Sequence, residues 1–220
     1  MTVKSKTHRL TLMAMFAALA YIIMAVGRIP ISSVDFLKYD PKDVILVISG
    51  FILGPMPGLA IAFVVALIEM LTVSSTGPIG FLMNFLSSAA FLWPATALYK
   101  RRHTLRGAGV GLAVGVLLMT ALMLMWNYFV TPYYMGYPRE AVAAMLVPVF
   151  LPFNLIKGLL NGAITMLFYK HVSRSLKKSG LVEMKPGAPA PKKNALGASL
   201  IAVLVLVSCI FAVLIMRGII

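Results

Sequence analysis

Residues 108–130 read AGVGLAVGVLLMTALMLMWNYFV, a run without one charged side chain. A helix needs about 20 such residues to cross the ~30 Å of hydrocarbon in a bilayer. A helix that is apolar all round belongs in a large core or in a membrane, and a chain of 220 residues has little core to offer it. Comparable runs lie at Leu10–Val26, Gly58–Val73, Phe81–Tyr99, Val147–Tyr169 and Leu196–Met216. A shorter one, Val44–Gly54, sits between Pro41 and the turn Gly54-Pro55-Met56-Pro57-Gly58, and reads as a short or tilted helix. Because lipid offers no partner to a backbone amide, these segments are expected as helices. The fold class is an all-α integral membrane protein: six helices in the first 178 residues and one more after a linker.

Composition agrees. Sixty per cent of the chain is apolar, and the charged share of 12% is about half that of a soluble domain. Mean hydropathy is +0.94. Six carboxylates, three histidines and one cysteine leave little material for acid–base pairs, a metal cage or a disulfide framework. Neither G-x-x-x-x-G-K-[ST] nor H-E-x-x-H nor G-x-S-x-G occurs. The chain therefore reads as a non-enzyme without a cofactor or metal of its own, and as no ATPase. Cys209 stands alone in the last run and reads as apolar filler.

Lys and Arg orient the helices. With the N-terminus in the cytoplasm, fourteen of the 20 fall inside and five outside, with Lys157 within a helix. The inside clusters are Lys4, Lys6 and Arg9, then Lys100, Arg101, Arg102 and Arg106, then Lys170 to Lys193; the outside five are Arg28, Lys38, Lys42, Arg139 and Arg217. His8, His103 and His171 also fall inside. Short juxtamembrane clusters of this kind answer to the positive-inside rule and anionic lipid rather than to nucleic acid, despite the net charge of +14. The first apolar run is longer than a signal-peptide core and ends in no small-residue cleavage site, so it reads as an uncleaved helix. Residues 179–195, rich in Pro and Lys, read as a cytoplasmic linker between a body at 1–178 and an appended helix at 196–220.

Polar groups within membrane helices are costly and usually face the bundle interior. Here they gather at one depth. Glu69 lies near the outer end of the third helix, Asn84 with Ser87 and Ser88 at the outer start of the fourth, and Asn127 at the outer end of the fifth. Asn154, Lys157 and Asn161 follow the outer start of the sixth and share one face at i, i+3, i+7. Such a set suits a pocket open to the outside. The plainer reading of each Asn is interhelical glue, and of Lys157 a side chain snorkelling to the interface. Glu69 is placed either as a partner for Lys157 or as a ligand contact. Phe36, Tyr39, Trp126, Tyr128, Phe129, Tyr133, Tyr134 and Tyr137 crowd the same level, as an interfacial belt or as stacking surfaces for a flat ligand. Gly107-xxx-Gly111-xxx-Gly115 and Gly158-xxx-Gly162 read as packing faces within the chain.

Several stretches carry a family resemblance: Phe36-Leu37-Lys38-Tyr39-Asp40-Pro41-Lys42-Asp43-Val44, Gly50-Phe51-Ile52-Leu53-Gly54-Pro55, Gly77-Pro78-Ile79-Gly80-Phe81-Leu82-Met83-Asn84-Phe85, Asn127-Tyr128-Phe129, and above all Pro152-Phe153-Asn154-Leu155-Ile156-Lys157-Gly158. Through them residues 8–178 resemble the riboflavin-binding S components of energy-coupling factor (ECF) transporters. The resemblance implies a six-helix capture subunit in the bacterial cytoplasmic membrane, with riboflavin held near the outer surface. It implies that Asn127, Asn154 and Lys157 contact the isoalloxazine ring, and that Leu37, Lys38, Tyr39 and Asp40 form a lid over it. Asn84 and Glu69 join the set from depth alone. The Ala14-xxx-Ala18 face resembles the small-residue surface that S components present to a transmembrane coupling subunit, which works with two ATP-binding-cassette ATPases. The family body ends after six helices, so the resemblance supplies no role for the seventh. Other readings are an S component for a different vitamin or heterocycle and, further off, a membrane-embedded lipid enzyme, which the scarce carboxylates argue against.

Overall fold

In the computed structural model, residues 5–31, 37–74, 76–102, 104–178 and 195–216 are described. Phe36, His103 and residues 179–194 of the expected linker lie outside them. Helix α1, Lys6–Gly27, opens on Ser5, whose hydroxyl accepts from the His8 amide at 3.2 Å. Leu12, Phe16, Ala20 and Met24 recur every fourth residue and make its one buried stripe. Ala14 and Ala18 are on the exposed side. After α1 the chain forms a short antiparallel ribbon, β1 (Ile29–Pro30) against β2 (Lys38–Tyr39), with Ile29 opposite Tyr39. A wholly helical chain was expected. The ribbon is the exception, and it stands between α1 and α2, where no apolar run was read.

Helix α2, Lys42–Leu53, has only 12 residues, and all but the last are buried. It is the centre of the bundle rather than a span at its edge. Gly54, at φ +102°, lets the chain reverse into α3, Pro55–Thr72. The hairpin closes tightly: a Cβ on Gly58 would stand 3.1 Å from the Gly50 Cα. Helix α4, Gly77–Arg102, and α5, Leu105–Phe129, then run antiparallel. Gly107, Gly111 and Gly115 face α4, and a Cβ on Gly111 would sit 2.8 Å from the Ala95 carbonyl oxygen. The glycine stripe thus packs helices of this chain together, as its spacing suggested.

The approach to the sixth run, and its first turn, are more broken than the composition implied. A short helix α6, Thr131–Met135, ends on Gly136 at φ +67°. Helix α7, Arg139–Met145, passes through a π-helical turn, Leu146–Phe150, into α8, Leu151–Lys178. Pro148 and Pro152 explain the turn. Each lacks an amide hydrogen and its ring opposes the preceding turn, so the ladder cannot continue as a plain α-helix. Residues 139–169, together with α1, α3, α4 and α5, give five stretches long and apolar enough to cross a membrane.

Helix α9, Ala195–Met216, lies against α8. The resemblance supplied no role for this helix. Ala202 and Cys209 are buried, and Val205, Leu206, Ala212 and Val213 pack beside Phe150, Phe153, Ile156 and Leu160. Apolarity does not distinguish a lipid-facing helix from a packed one, because lipid and protein interior are equally dry.

Candidate functional site

Helix α2 determines the site. Its residues are so uniformly apolar that the bundle buries it all round, and the charges of its first turn go in with it. Lys42 and Asp43 are each 1% exposed. Neither can stay there unpaired, since an ion moved into a dry interior costs several kcal/mol. Lys42 Nζ donates to Glu69 Oε2 at 2.6 Å and to Asp40 Oδ2 at 3.3 Å. Glu69 Oε1 accepts from the Arg28 guanidinium at the end of α1 and from Asn84 Nδ2 at 2.9 Å. Asp43 accepts from Ser88 Oγ at 2.5 Å and from Asn161 Nδ2 at 3.4 Å, and it faces Lys157 Nζ at 3.7 Å. Three cations and three carboxylates thus form one chain of contacts, net neutral, drawing on α1, α2, α3, α4 and α8.

The ribbon is tied to the same chain. Tyr39 Oη donates to Asn161 Oδ1 at 2.9 Å, and Asn161 Nδ2 approaches the Asp40 carbonyl oxygen at 3.5 Å. Burial, then the neighbouring Asp40 and Asp43, push the Tyr39 phenol well above its ordinary value, so it stays protonated and donates. Burial would likewise raise the Asp40 carboxyl, but Lys42, Lys157 and Arg28 together hold it below the usual range. Among the described residues, two buried polar atoms here have no partner: Asp40 Oδ1 and Arg28 Nε. Buried polar groups are nearly always paired, so these are the places where a polar ligand atom or water has a bond to make.

The residues singled out from sequence fall as follows. Lys157, Asn154 and Asn127 are buried. Glycine contacts set the α5–α8 register: a Cβ on Gly158 would meet Val116 and Met119 at 3.0–3.1 Å, and one on Gly162 would meet Leu112 at 4.0 Å. The helices are therefore antiparallel, with Asn154 near the level of Met123 and Asn127 near that of the π-helical turn. Asn154 Nδ2 donates to the Phe150 carbonyl at 2.8 Å. Asn127 Nδ2 donates to the Met123 carbonyl at 2.7 Å, and its Oδ1 accepts from Thr131 at 2.8 Å. Leu37, Tyr39 and Asp40 are buried, whereas Lys38 is exposed. Glu69 and Asn84 do meet.

Of the two readings of Glu69, a partner for Lys157 or a ligand contact, the first is corrected. Glu69 is neutralised by Lys42 and Arg28, and the counter-ion of Lys157 is Asp43. Arg28, Lys42 and Asp43 were missed as site residues because loop charges next to a helix end look like solvated ones. The available signal was α2 itself, whose apolar surface on every side leaves its first turn no route to water.

Fold and site together define a multi-pass helical membrane protein with a buried polar centre near one face. The family described as ECF transporter, substrate-specific component, matches residues 8–169. The chain belongs to that family, and its relatives are transporters rather than enzymes. It is 30% identical over 172 residues to the riboflavin transporter FmnP of Bacillus subtilis (strain 168), covering 74% of this chain and 89% of that one. To the riboflavin transporter RibU of Staphylococcus aureus (strain TCH60) it is 31% identical over 180 residues, covering 79% and 94%. A solved structure of the S component of a bacterial ECF transporter superposes with a TM-score of 0.68 at 30% identity, over 79% of this chain and 99% of that chain. Helix α9 lies beyond the residues that the family match covers.

Proposed function

We propose that this chain captures riboflavin at the outer face of a bacterial cytoplasmic membrane and delivers it for ATP-driven uptake. Relatives bearing the name riboflavin transporter support the substrate, and the contact between Lys157 and Asp43 is the structural observation that carries the reading. At 3.7 Å it is an ionic contact longer than a normal N–H···O bond. The ammonium is held in place with donors to offer an acceptor-rich ring. Isoalloxazine presents carbonyl and ring-nitrogen acceptors beside one N–H, which Asn127, Asn154 and Lys157 match in kind. Leu37, Tyr39 and Asp40 cover the site from the ribbon, with Lys38 at its rim. Asp40 Oδ1 and Arg28 Nε suit the hydroxyls of a sugar-like chain. Glu69 and Asn84 then act behind the ligand, holding Lys42 and Arg28 in place. A neutral site that offers a ligand a single lysine also favours the uncharged vitamin over its dianionic phosphate.

The energising machinery lies in other chains: a transmembrane coupling subunit and two ATP-binding-cassette ATPases. The exposed Ala14 and Ala18 face of α1 is the docking surface for the coupling subunit. The N-terminus lies in the cytoplasm, residues 1–178 form the binding domain, 179–195 the linker and 196–220 an appended helix. The deciding experiment is a thermal-shift screen of the purified chain. Riboflavin should raise the melting temperature strongly, and thiamine, folate and biotin should not. A shift with one of those three and none with riboflavin would reassign the substrate.

A further inference from the structure

Helix α9 is an addition to the shared body, yet it packs on α8 within the buried cluster that also holds the ribbon residues. Cys209 is 5% exposed and belongs to one buried cluster with Ile31, Leu37 and Tyr39 of the ribbon region and Phe150, Phe153 and Leu160 near the start of α8. Tyr39 in turn holds Asn161, and Asn161 holds Asp43 and the Asp40 carbonyl. The opposite side of α9 is different: Ile201, Leu204 and Ile215 are more than 60% exposed. The helix thus has one packed seam against α8, and that seam belongs to the same buried cluster as the ribbon residues.

We propose that α9 is a built-in brace for the β1–β2 ribbon, holding Tyr39 on Asn161 and thereby slowing the exchange of bound ligand. A two-strand ribbon has too few hydrogen bonds to hold itself. It needs a surface to pack on, and here α8 and α9 supply it jointly. Cys209 is a positioning residue that acts through Tyr39. Small side chains at Cys209 and Ala202 allow the close approach; larger ones would push α9 outward.

The test uses the full chain. Cys209→Trp overfills the seam, and Leu204→Trp adds the same bulk on the lipid side. Two quantities are read: amide hydrogen exchange in residues 29–31 and 37–40 without ligand, and the release rate of riboflavin by recovery of flavin fluorescence. Cys209→Trp should speed both by roughly tenfold or more, the scale of overpacking a tight contact, with the association rate little changed. Leu204→Trp should alter neither. Should Cys209→Trp not fold, Ala202→Leu and Cys209→Leu are read in the same way. Unchanged ribbon exchange in a folded seam variant would overturn the brace and leave α9 as a strut. The release measurement rests on the riboflavin reading and the exchange measurement does not, so a parent chain that fails to bind riboflavin counts against that reading alone.

Discussion

At the scale of single residues, the buried charges are the costly choice. Replacing an ion pair by apolar groups is often neutral, but removing one partner strands the other at about 3–5 kcal/mol. Lys157→Met should therefore separate the two roles of that lysine. If it contacts the ligand, riboflavin affinity falls about ten- to hundred-fold, the value of a charge-assisted hydrogen bond. Lys157→Met with Asp43→Asn should then recover part of the stability lost by Lys157→Met alone, without recovering affinity. Melting curves and flavin fluorescence titrations of the parent and these two variants check both halves; affinity equal to the parent's in folded Lys157→Met would make the lysine purely structural. Tyr39 gives a second prediction. Its folded pKa is raised, so its contribution is complete below the ordinary tyrosine value of about 10 and is lost only as pH rises through the folded one. The phenolate absorbance of the folded parent and of Tyr39→Phe should coincide from pH 9 to 11. A parent curve one tyrosine higher in that window would place Tyr39 in water. Asp40 has the opposite sign: its lowered value adds stability above about pH 4 that is lost on acidification.

At the scale of elements, the α4–α5 seam rests on absent side chains. Gly111→Ala would place a methyl 2.8 Å from the Ala95 carbonyl oxygen, and the backbone of α4 cannot yield as a side-chain tip can. Overpacking of this sort costs about 1–3 kcal/mol. On the same helix, Gly109 has nothing within 4 Å of its missing Cβ. Gly109→Ala should be neutral or gain up to about 1 kcal/mol from helix propensity. Thermal melts in detergent should show the first falling and the second holding or rising; equal melts would mean the helices do not meet at Gly111. This seam was legible in the sequence, since a glycine every fourth residue in an apolar run has few other uses. So was the gathering of Glu69, Asn84 and Lys157 into one polar set, because polar groups in lipid must be brought together. The break at Pro148 was harder to read, as a proline in an apolar run fits either a kink or a helix start. Charge partners were not legible at all. Glu69 had several cations at its depth, and only the burial of α2 brings Lys42 rather than Lys157 to it.

At the scale of the whole molecule, one face of the bundle remains to be explained. Most of α1 buries only one residue per turn, so Ala14, Met15, Ala18, Leu19 and Ile22 are directed away from the body. Lipid alone would be served as well by bulky side chains, whereas small ones allow a second backbone to come close. The polar centre lies toward the other end, where Arg28 follows α1 and meets Glu69. On the proposed function, the docking surface and the binding site lie apart and can be broken independently. Ala14→Leu with Ala18→Leu should leave riboflavin affinity within about twofold of the parent, less than 0.5 kcal/mol, because neither residue touches the polar centre. Accumulation of riboflavin by vesicles containing the coupling subunit and both ATPases should be lost, since each added isobutyl group holds the helices apart. Vesicles containing only this chain should bind the vitamin and concentrate none of it, with or without ATP, because the sequence carries no nucleotide-binding loop. Undiminished uptake by the double variant would move the docking surface off α1, and ATP-driven accumulation by the lone chain would remove the need for partners altogether.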